Sequence, residues 1–275
     1  MNMLIVGALL VGLSLGLLGS GGSILTVPIL VYALGQGEKE AIAGSLAIVG
    51  GIAALGAIPH ALRGRIAWRS VLLFGPAGML GTAVGAEIAR HLSGALQLAI
   101  FAVVMLAAAI AMLQKAHRTP AEAPPSPASQ PSQPSQPSQP SQPRRHAGKI
   151  AADGVGVGLL TGVVGIGGGF LIVPALTLLG GLPLEIAIGT SLTLIALNAW
   201  TGFFRHWGEL ATLGLTLDGR TIATFIAIGG VGTLVGHHLG GRLPQRTLAR
   251  IFGVALLALG TWVLWQNLPT VLGWN

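Results

Sequence analysis

The chain has 275 residues, of which 52% are hydrophobic, 8% are charged and 43 are glycine. A soluble domain carries about 25% charged residues, so this composition excludes a water-soluble globule. The formal charge of +7 comes from basic residues that stand singly or in small groups between apolar runs, which is typical of membrane-protein loops and does not indicate nucleic-acid binding. The absence of cysteine excludes disulfides, thiolate metal sites and a cysteine nucleophile.

Uncharged, largely apolar runs recur along the whole chain. Each is near or above the roughly 20 residues that a helix needs to cross a bilayer. The runs cover residues 3–37, 41–62, 70–86, 92–114, 154–184, 186–204, 221–241 and 251–275. The sequence therefore predicts an all-α polytopic membrane protein surrounded by the lipid bilayer.

A segment rich in proline, serine and glutamine interrupts these runs. It spans 116–147 and contains a repeated Gln-Pro-Ser triplet. Such a tract has nothing apolar to bury, so it predicts a disordered, partly extended linker. The chain then divides into a first transmembrane repeat at 1–115, a linker at 116–147 and a second transmembrane repeat at 148–275.

The two flanking segments are related to each other in sequence. A shift of 146 positions aligns residues 16–28 with 162–174, Ser45 with Ser191, and His60 with His206. This internal duplication is a common plan of secondary transporters.

Two topologies are compatible with the first run of each half, which a glycine cluster interrupts. If this run crosses the membrane, each half has four crossings and the halves are parallel. If it is re-entrant, each half has three crossings and the halves are inverted repeats. The positive-inside rule favours the re-entrant arrangement, with eleven of the 15 Lys and Arg residues on the linker side against ten in the other case. Both arrangements predict a cytoplasmic linker.

The paired glycine clusters are the main candidates for a binding site. Glycine both interrupts a helix and lets a ligand approach the backbone, and the free amides at the start of the next helix favour an anion. Matching breaks in two halves point to a site where the repeats meet. The candidate residues are Ser20, Gly21, Gly22, Ser23, Gly167, Gly168 and Gly169. The alternative is close helix packing, the role expected for Gly12 and Gly16, Gly81 and Gly85, and Gly232 and Gly236.

Polar residues on the helix after each cluster could complete the site. Ser45, Thr190, Ser191 and Asn198 offer neutral hydrogen-bond donors, although serine and threonine also bond back to their own helix. His60 and His206 could bind and release protons and so couple anion movement to protons. Arg205 could attract anions to the mouth of the transport pathway. The alternatives are helix-anchoring histidines and an arginine that reaches the interface.

The duplicated pattern Gly-x-Gly-Gly-(Ser/Gly)-x-Leu-x-Val-Pro at 19–28 and 165–174, with Gly44-Ser45-Leu46, Thr190-Ser191-Leu192, His60 and His206, resembles the sulfite exporter TauE/SafE family. The resemblance covers both halves and implies a permease of the bacterial cytoplasmic membrane for a small anion, either sulfite or an organosulfonate such as sulfoacetate. It implies no cofactor, no metal and no enzymatic activity. An anion channel built on the same broken helices is the alternative, and the sequence does not define an oligomeric state.

Overall fold

The computed structural model describes residues 2–19, 22–118, 147–164, 172–173, 176, 182–240 and 245–272. Within these residues the chain is helical and contains no strand. The helices are α1 (Asn2–Leu18), α2 (Ser23–Pro28), α3 (Glu38–Leu62), α4 (Trp68–Arg90), α5 (Gly94–Arg118), α6 (Ala147–Val164), α7 (Leu184–Thr212), α8 (Gly219–Gly240) and α9 (Gln245–Leu272), and α2 continues into a π-helical turn at Ile29–Ala33.

Six stretches of the described helices are long and apolar enough to cross a membrane. They are Glu38–Leu62, Trp68–Arg90, Gly94–Ala111, Ile186–Thr212, Gly219–Leu239 and Gly253–Val271. Three lie in each half of the chain, and each half also has shorter apolar helices: Met3–Leu17 and Ser23–Ala33 in the first, Ala151–Val164 in the second. The expectation of an all-α polytopic membrane protein is therefore confirmed. The predicted disordered linker lies outside the described residues, apart from its two ends, which belong to α5 and α6.

The first glycine cluster reverses the direction of the chain. Helix α1 ends at Leu18, Gly19 has a φ of +69°, and α2 begins at Ser23. A methyl group added at Gly22 would lie 2.1 Å from the carbonyl oxygen of Val11, and one at Gly7 would lie 2.8 Å from Cγ2 of Ile29. Because later residues of α2 contact earlier residues of α1, the two helices form an antiparallel hairpin.

Helices from different halves pack closely along rows of glycines, which we call glycine seams. A Cβ atom at Gly12 would lie 2.1 Å from the oxygen of Gly229, and one at Gly158 would lie 2.0 Å from the oxygen of Gly78. Added Cβ atoms would also meet the facing backbone at Gly16, Gly81, Gly85, Gly162 and Gly236. Helix α1 thus packs parallel to α8, and α4 packs parallel to α6. The close-packing role predicted for these small-residue pairs is confirmed.

Helices α3 and α7 cross the centre of the bundle side by side. A Cβ atom at Gly50 would contact Trp200, and one at Gly56 would contact Leu192, so the two helices are antiparallel. Helix α7 also runs parallel to α4, and α5 runs antiparallel to α9. We call the end where α5 ends and α6 begins the linker end. The opposite end, where α3 begins and α7 ends, is called the Lys39 end.

Candidate substrate site

One face of α7 carries four of the eight buried polar residues that the structure describes in the second half. Ser191, Asn198, His206 and Glu209 are all buried, and at 100° per residue they share one side of the helix. This face contacts α1, α4, α6 and the start of α3 through the interactions described below. Since α1, α3 and α4 belong to the first half, this face presents polar groups of the second half to the first.

Ser191 holds the first glycine break in place. Its hydroxyl lies 3.0 Å from the carbonyl oxygen of Gly19 and 2.8 Å from that of Ile188, and it donates to these oxygens. A Cβ atom at Gly19 would come within 2.9 Å of Ile188. The interruption between α1 and α2 in the first half therefore packs against α7 of the second half. Ser20, Gly21, Gly167, Gly168 and Gly169 lie outside the described residues.

Removing the Ser191 hydroxyl should loosen this contact. For Ser191→Ala we expect a loss of about 0.5–1.5 kcal/mol in stability, the value of one neutral hydrogen bond, measured as a lower Tm in detergent. Thr201→Val is the matched control, because the Thr201 hydroxyl donates to the carbonyl oxygen of Leu197 in its own helix. Equal Tm values for the two variants would contradict a role for Ser191 in seating the break.

Asn198 is fully buried and lies against α4. Neither Nδ2 nor Oδ1 of its side chain has a hydrogen-bond partner among the residues that the structure describes. A Cβ atom at Gly78 would be 2.8 Å from both atoms. One turn further along α4, the buried hydroxyl of Thr82 likewise has no partner within the described part of the chain. Sequence reasoning missed Thr82, because a threonine in an apolar run ordinarily bonds back to its own helix.

The repeat shows that Asn198 breaks the symmetry of the halves. The 146-residue shift places Ile52 at the position equivalent to Asn198. Ile52 packs against Gly229 of α8, as Asn198 packs against Gly78 of α4. Later in the repeat the shift becomes 151 positions, which pairs Gly78 with Gly229 and Thr82 with Thr233. Thr233 donates its hydroxyl to the oxygens of Gly12 and Gly229 at 3.0 and 2.9 Å. Among the described residues, the interface of α4 with α7 therefore contains an amide and a hydroxyl without partners, whereas the equivalent hydroxyl of Thr233 is hydrogen-bonded.

Several other sequence candidates have structural contacts. Gly22 lies against α1, and Ser23 is buried at the start of α2. Ser45 donates to the oxygen of Ile42 in its own helix at 2.8 Å. The Thr190 hydroxyl accepts a hydrogen bond of 2.9 Å from the amide of Ala67, so it attaches the α3–α4 connection to α7.

His206 belongs to a charged cluster at the Lys39 end. Its Nε2 atom lies 2.8 Å from the carbonyl oxygen of Gly162, and its Nδ1 atom lies 3.6 Å from Oε2 of Glu209. The other oxygen of Glu209 forms a salt bridge with Lys39. Glu209 is 7% exposed and Lys39 is 22% exposed. Lys39 and Glu209 are 170 positions apart, so sequence reasoning did not connect them.

His60 lies at the opposite end of the bundle. It is buried and stacks edge-on against His237, with 4.6 Å between ring centroids. Nη1 of Arg63 lies 3.2 Å from Nε2 of His237. The two equivalent histidines thus face opposite ends and differ in their charged neighbours. Arg205 is exposed on α7.

A cavity of about 670 Å³ opens at the Lys39 end on a neighbouring face of α7. Trp200, Phe203 and Trp207 line it together with the α7–α8 connection. That connection is fixed where α8 begins, because Asp218 accepts hydrogen bonds from the Thr221 hydroxyl and the Arg220 amide, which lower the pKa of its carboxyl. The aromatic lining offers no cation to an anion, so the cavity does not form the polar site.

Comparison with known proteins gives a consistent picture. The family model described as sulfite exporter TauE/SafE matches residues 4–263. A probable membrane transporter protein of Xylella fastidiosa (strain Temecula1) is 32% identical over 94% of this chain and 92% of its own length. The probable membrane transporter protein YunE of Bacillus subtilis is 22% identical over 96% and 97% of the two chains. No solved structure matches the chain significantly.

The helical fold, the duplicated halves and the broken first segment define a multi-pass membrane protein of the transporter class. The chain belongs to the sulfite exporter TauE/SafE family, whose match extends across both halves.

Proposed function

We propose that this protein is a secondary transporter that moves a small anion, sulfite or an organosulfonate such as sulfoacetate, across the cytoplasmic membrane. The family match supports a transporter, and the family description supports the substrate class. The broken first segment supports a carrier, since interrupted helices in duplicated halves form substrate sites in such proteins.

The observation that carries the proposal is the buried polar face of α7. Ser191 positions the glycine break, and Asn198 lies two helical turns further on, about 10 Å along the axis. A buried amide with no protein partner is costly unless a ligand or water uses it. Nδ2 of Asn198 and the Thr82 hydroxyl are neutral hydrogen-bond donors. They can bind an oxyanion with an affinity low enough for it to be released. We place the anion between α4 and α7, beside Asn198 and Thr82.

We further propose that the halves are inverted repeats in the membrane. The antiparallel α1–α2 hairpin supports three crossings per half, and the opposite directions of α3 and α7 support inversion. Arg63, Arg65 and Arg69 lie at the linker end, and the linker sequence adds Arg144 and Arg145. This excess of cations supports a cytoplasmic linker and an external Lys39 end.

Cysteine labelling tests this orientation directly, because the chain has no cysteine of its own. In intact cells Ser135→Cys should resist a membrane-impermeant thiol reagent and should react once the cells are opened. Thr216→Cys, in the exposed α7–α8 connection, is the matched control and should react from outside. The reverse pattern would overturn the proposed orientation.

Flux measurements in liposomes test the function itself. The purified protein would be reconstituted and offered sulfite, sulfoacetate, thiosulfate and small carboxylates in turn. A carrier should show saturable uptake that speeds up when the same anion is present on the other side. Uptake without saturation or counterflow would favour the channel, and no flux of any of these anions would overturn the proposal.

A further inference from the structure

The cluster of Lys39, Glu209 and His206 has no part in binding the anion as proposed above. Ionisable side chains inside a membrane helix are costly and are retained mainly where they serve a function. Glu209 and His206 are buried at 7% and 5% exposure of their side chains. The cluster also joins the start of α3 to the end of α7, which belong to different halves of the chain.

The geometry defines which atom of His206 can take up a proton. A carbonyl oxygen only accepts hydrogen bonds, so the 2.8 Å contact with Gly162 assigns the hydrogen of the neutral ring to Nε2. The lone pair of Nδ1 then faces the carboxylate of Glu209 at 3.6 Å. Two acceptors face each other in this state. A proton bound at Nδ1 would turn the contact into an N–H donor directed at a carboxylate, which is a strong pair.

The surroundings leave Glu209 as the acidic partner of this ring among the described residues. From α6, the carbonyl oxygen of Gly162 contacts the ring of His206 directly. From α3, Lys39 contacts Glu209, and from α4 the neutral side chain of Thr82 packs against Gly202, one turn before His206. Glu87 and Arg90 form an exposed pair at the end of α4, with contacts of 3.1 and 3.2 Å. Arg205 precedes His206 on α7 and is exposed.

We propose that His206, held by Glu209 and Lys39, is a proton-binding site that couples protons to the transported anion. This inference rests on the proposed transport function. The cluster is neutral with His206 deprotonated and carries one positive charge after Nδ1 takes a proton from the external solution. An anion at Asn198 lies on the same helix face, about 12 Å away. Proton and anion therefore favour each other's binding, which makes the two move in the same direction.

The equivalent position in the other half does not offer this chemistry. The 146-residue shift places Arg63 at the position of Glu209 and Glu185 at that of Lys39, so the charge order is reversed. The position of the Glu209 carboxylate is thus taken by the Arg63 guanidinium, which has no acceptor to offer a protonated imidazole. The proton site is therefore one-sided and lies at the Lys39 end, although the sequence suggested both histidines equally.

Proteoliposomes with a clamped membrane potential test the coupling. The probe is radiolabelled sulfoacetate, because sulfite takes up protons itself, and an internal pH dye reports accompanying proton entry. Wild-type protein should accumulate sulfoacetate when the external side is made more acidic. For His206→Gln we expect gradient-driven uptake to fall by about tenfold while counterflow continues, since the glutamine amide can still donate to Gly162 but cannot take up a proton.

Glu87→Gln is the matched control, because it removes an exposed carboxylate at the same end, and it should retain the gradient response. Glu209→Gln is the second variant and should lose proton entry as His206→Gln does. Wild-type flux that ignores the proton gradient, or either variant retaining the gradient response, would overturn the coupling proposal alone. The absence of sulfoacetate flux by the wild type together with the absence of flux for the other anions would instead overturn the proposed function.

Discussion

Replacing Asn198 by isoleucine should make the protein more stable and abolish transport. Burying an amide without partners costs about 1–3 kcal/mol, and the variant removes that cost. An isoleucine side chain is already accommodated at the equivalent position, since Ile52 packs against Gly229. Thermal unfolding in detergent and anion flux in liposomes would measure the two effects. Opposite changes in stability and activity are the mark of a residue kept for function.

The reverse substitution at the equivalent position of the first half is the control for this experiment. Ile52→Asn places an amide against Gly229, where Thr233 already bonds the nearby carbonyl oxygens. We expect a loss of about 1–3 kcal/mol in stability. If Asn198→Ile lowered Tm and left flux at the wild-type level, Asn198 would be a structural residue and the proposed anion site would be in the wrong place.

A single methyl group in the seam between α4 and α6 should severely disrupt the bundle. The Cβ atom of Gly158→Ala would lie 2.0 Å from the carbonyl oxygen of Gly78, 2.8 Å from its carbon and 2.9 Å from the amide of Thr82. Backbone atoms cannot move aside as a flexible side chain can, so the two helices must separate. We expect a loss of about 3 kcal/mol, seen as a sharp fall in the yield of monodisperse protein.

Gly156→Ala provides the matched control on the same helix. Apart from the adjoining residues of its own helix, no heavy atom of the described residues lies within 4 Å of a Cβ atom at this position. Alanine is favoured over glycine in a helix by about 0.5–1 kcal/mol, so this variant should be as stable as the wild type or more so. Equal yields for the two alanine variants would contradict close backbone packing between α4 and α6.

The helical fold was predictable because apolar runs of sufficient length have few alternatives in a bilayer. The Gly-x-x-x-Gly spacings also predicted the close seams, although not which helices they join. Gly12 meets Gly229 and Gly158 meets Gly78, contacts between distant parts of the chain that a single sequence does not specify.

The candidate site was less predictable. Asn198 stands out in the sequence as an amide within an apolar run, and comparing the repeats identifies it as the exception to Ile52. The partners of His206 did not stand out in the same way. Glu209 is three positions away and could have been found from helix periodicity, whereas Lys39 reaches it only through the antiparallel packing of α3 on α7.

The seams between helices of different halves also constrain how the protein is made. Gly12 of α1 is completed by α8, which the ribosome synthesises about 200 residues later. At 5–20 residues per second this delay is about 10–40 s. During that interval the first half exposes its glycine surface to lipid without its native partner, so neither half is an independent folding unit. Co-expressed halves severed within 119–146 should therefore depend on each other to escape degradation in the membrane.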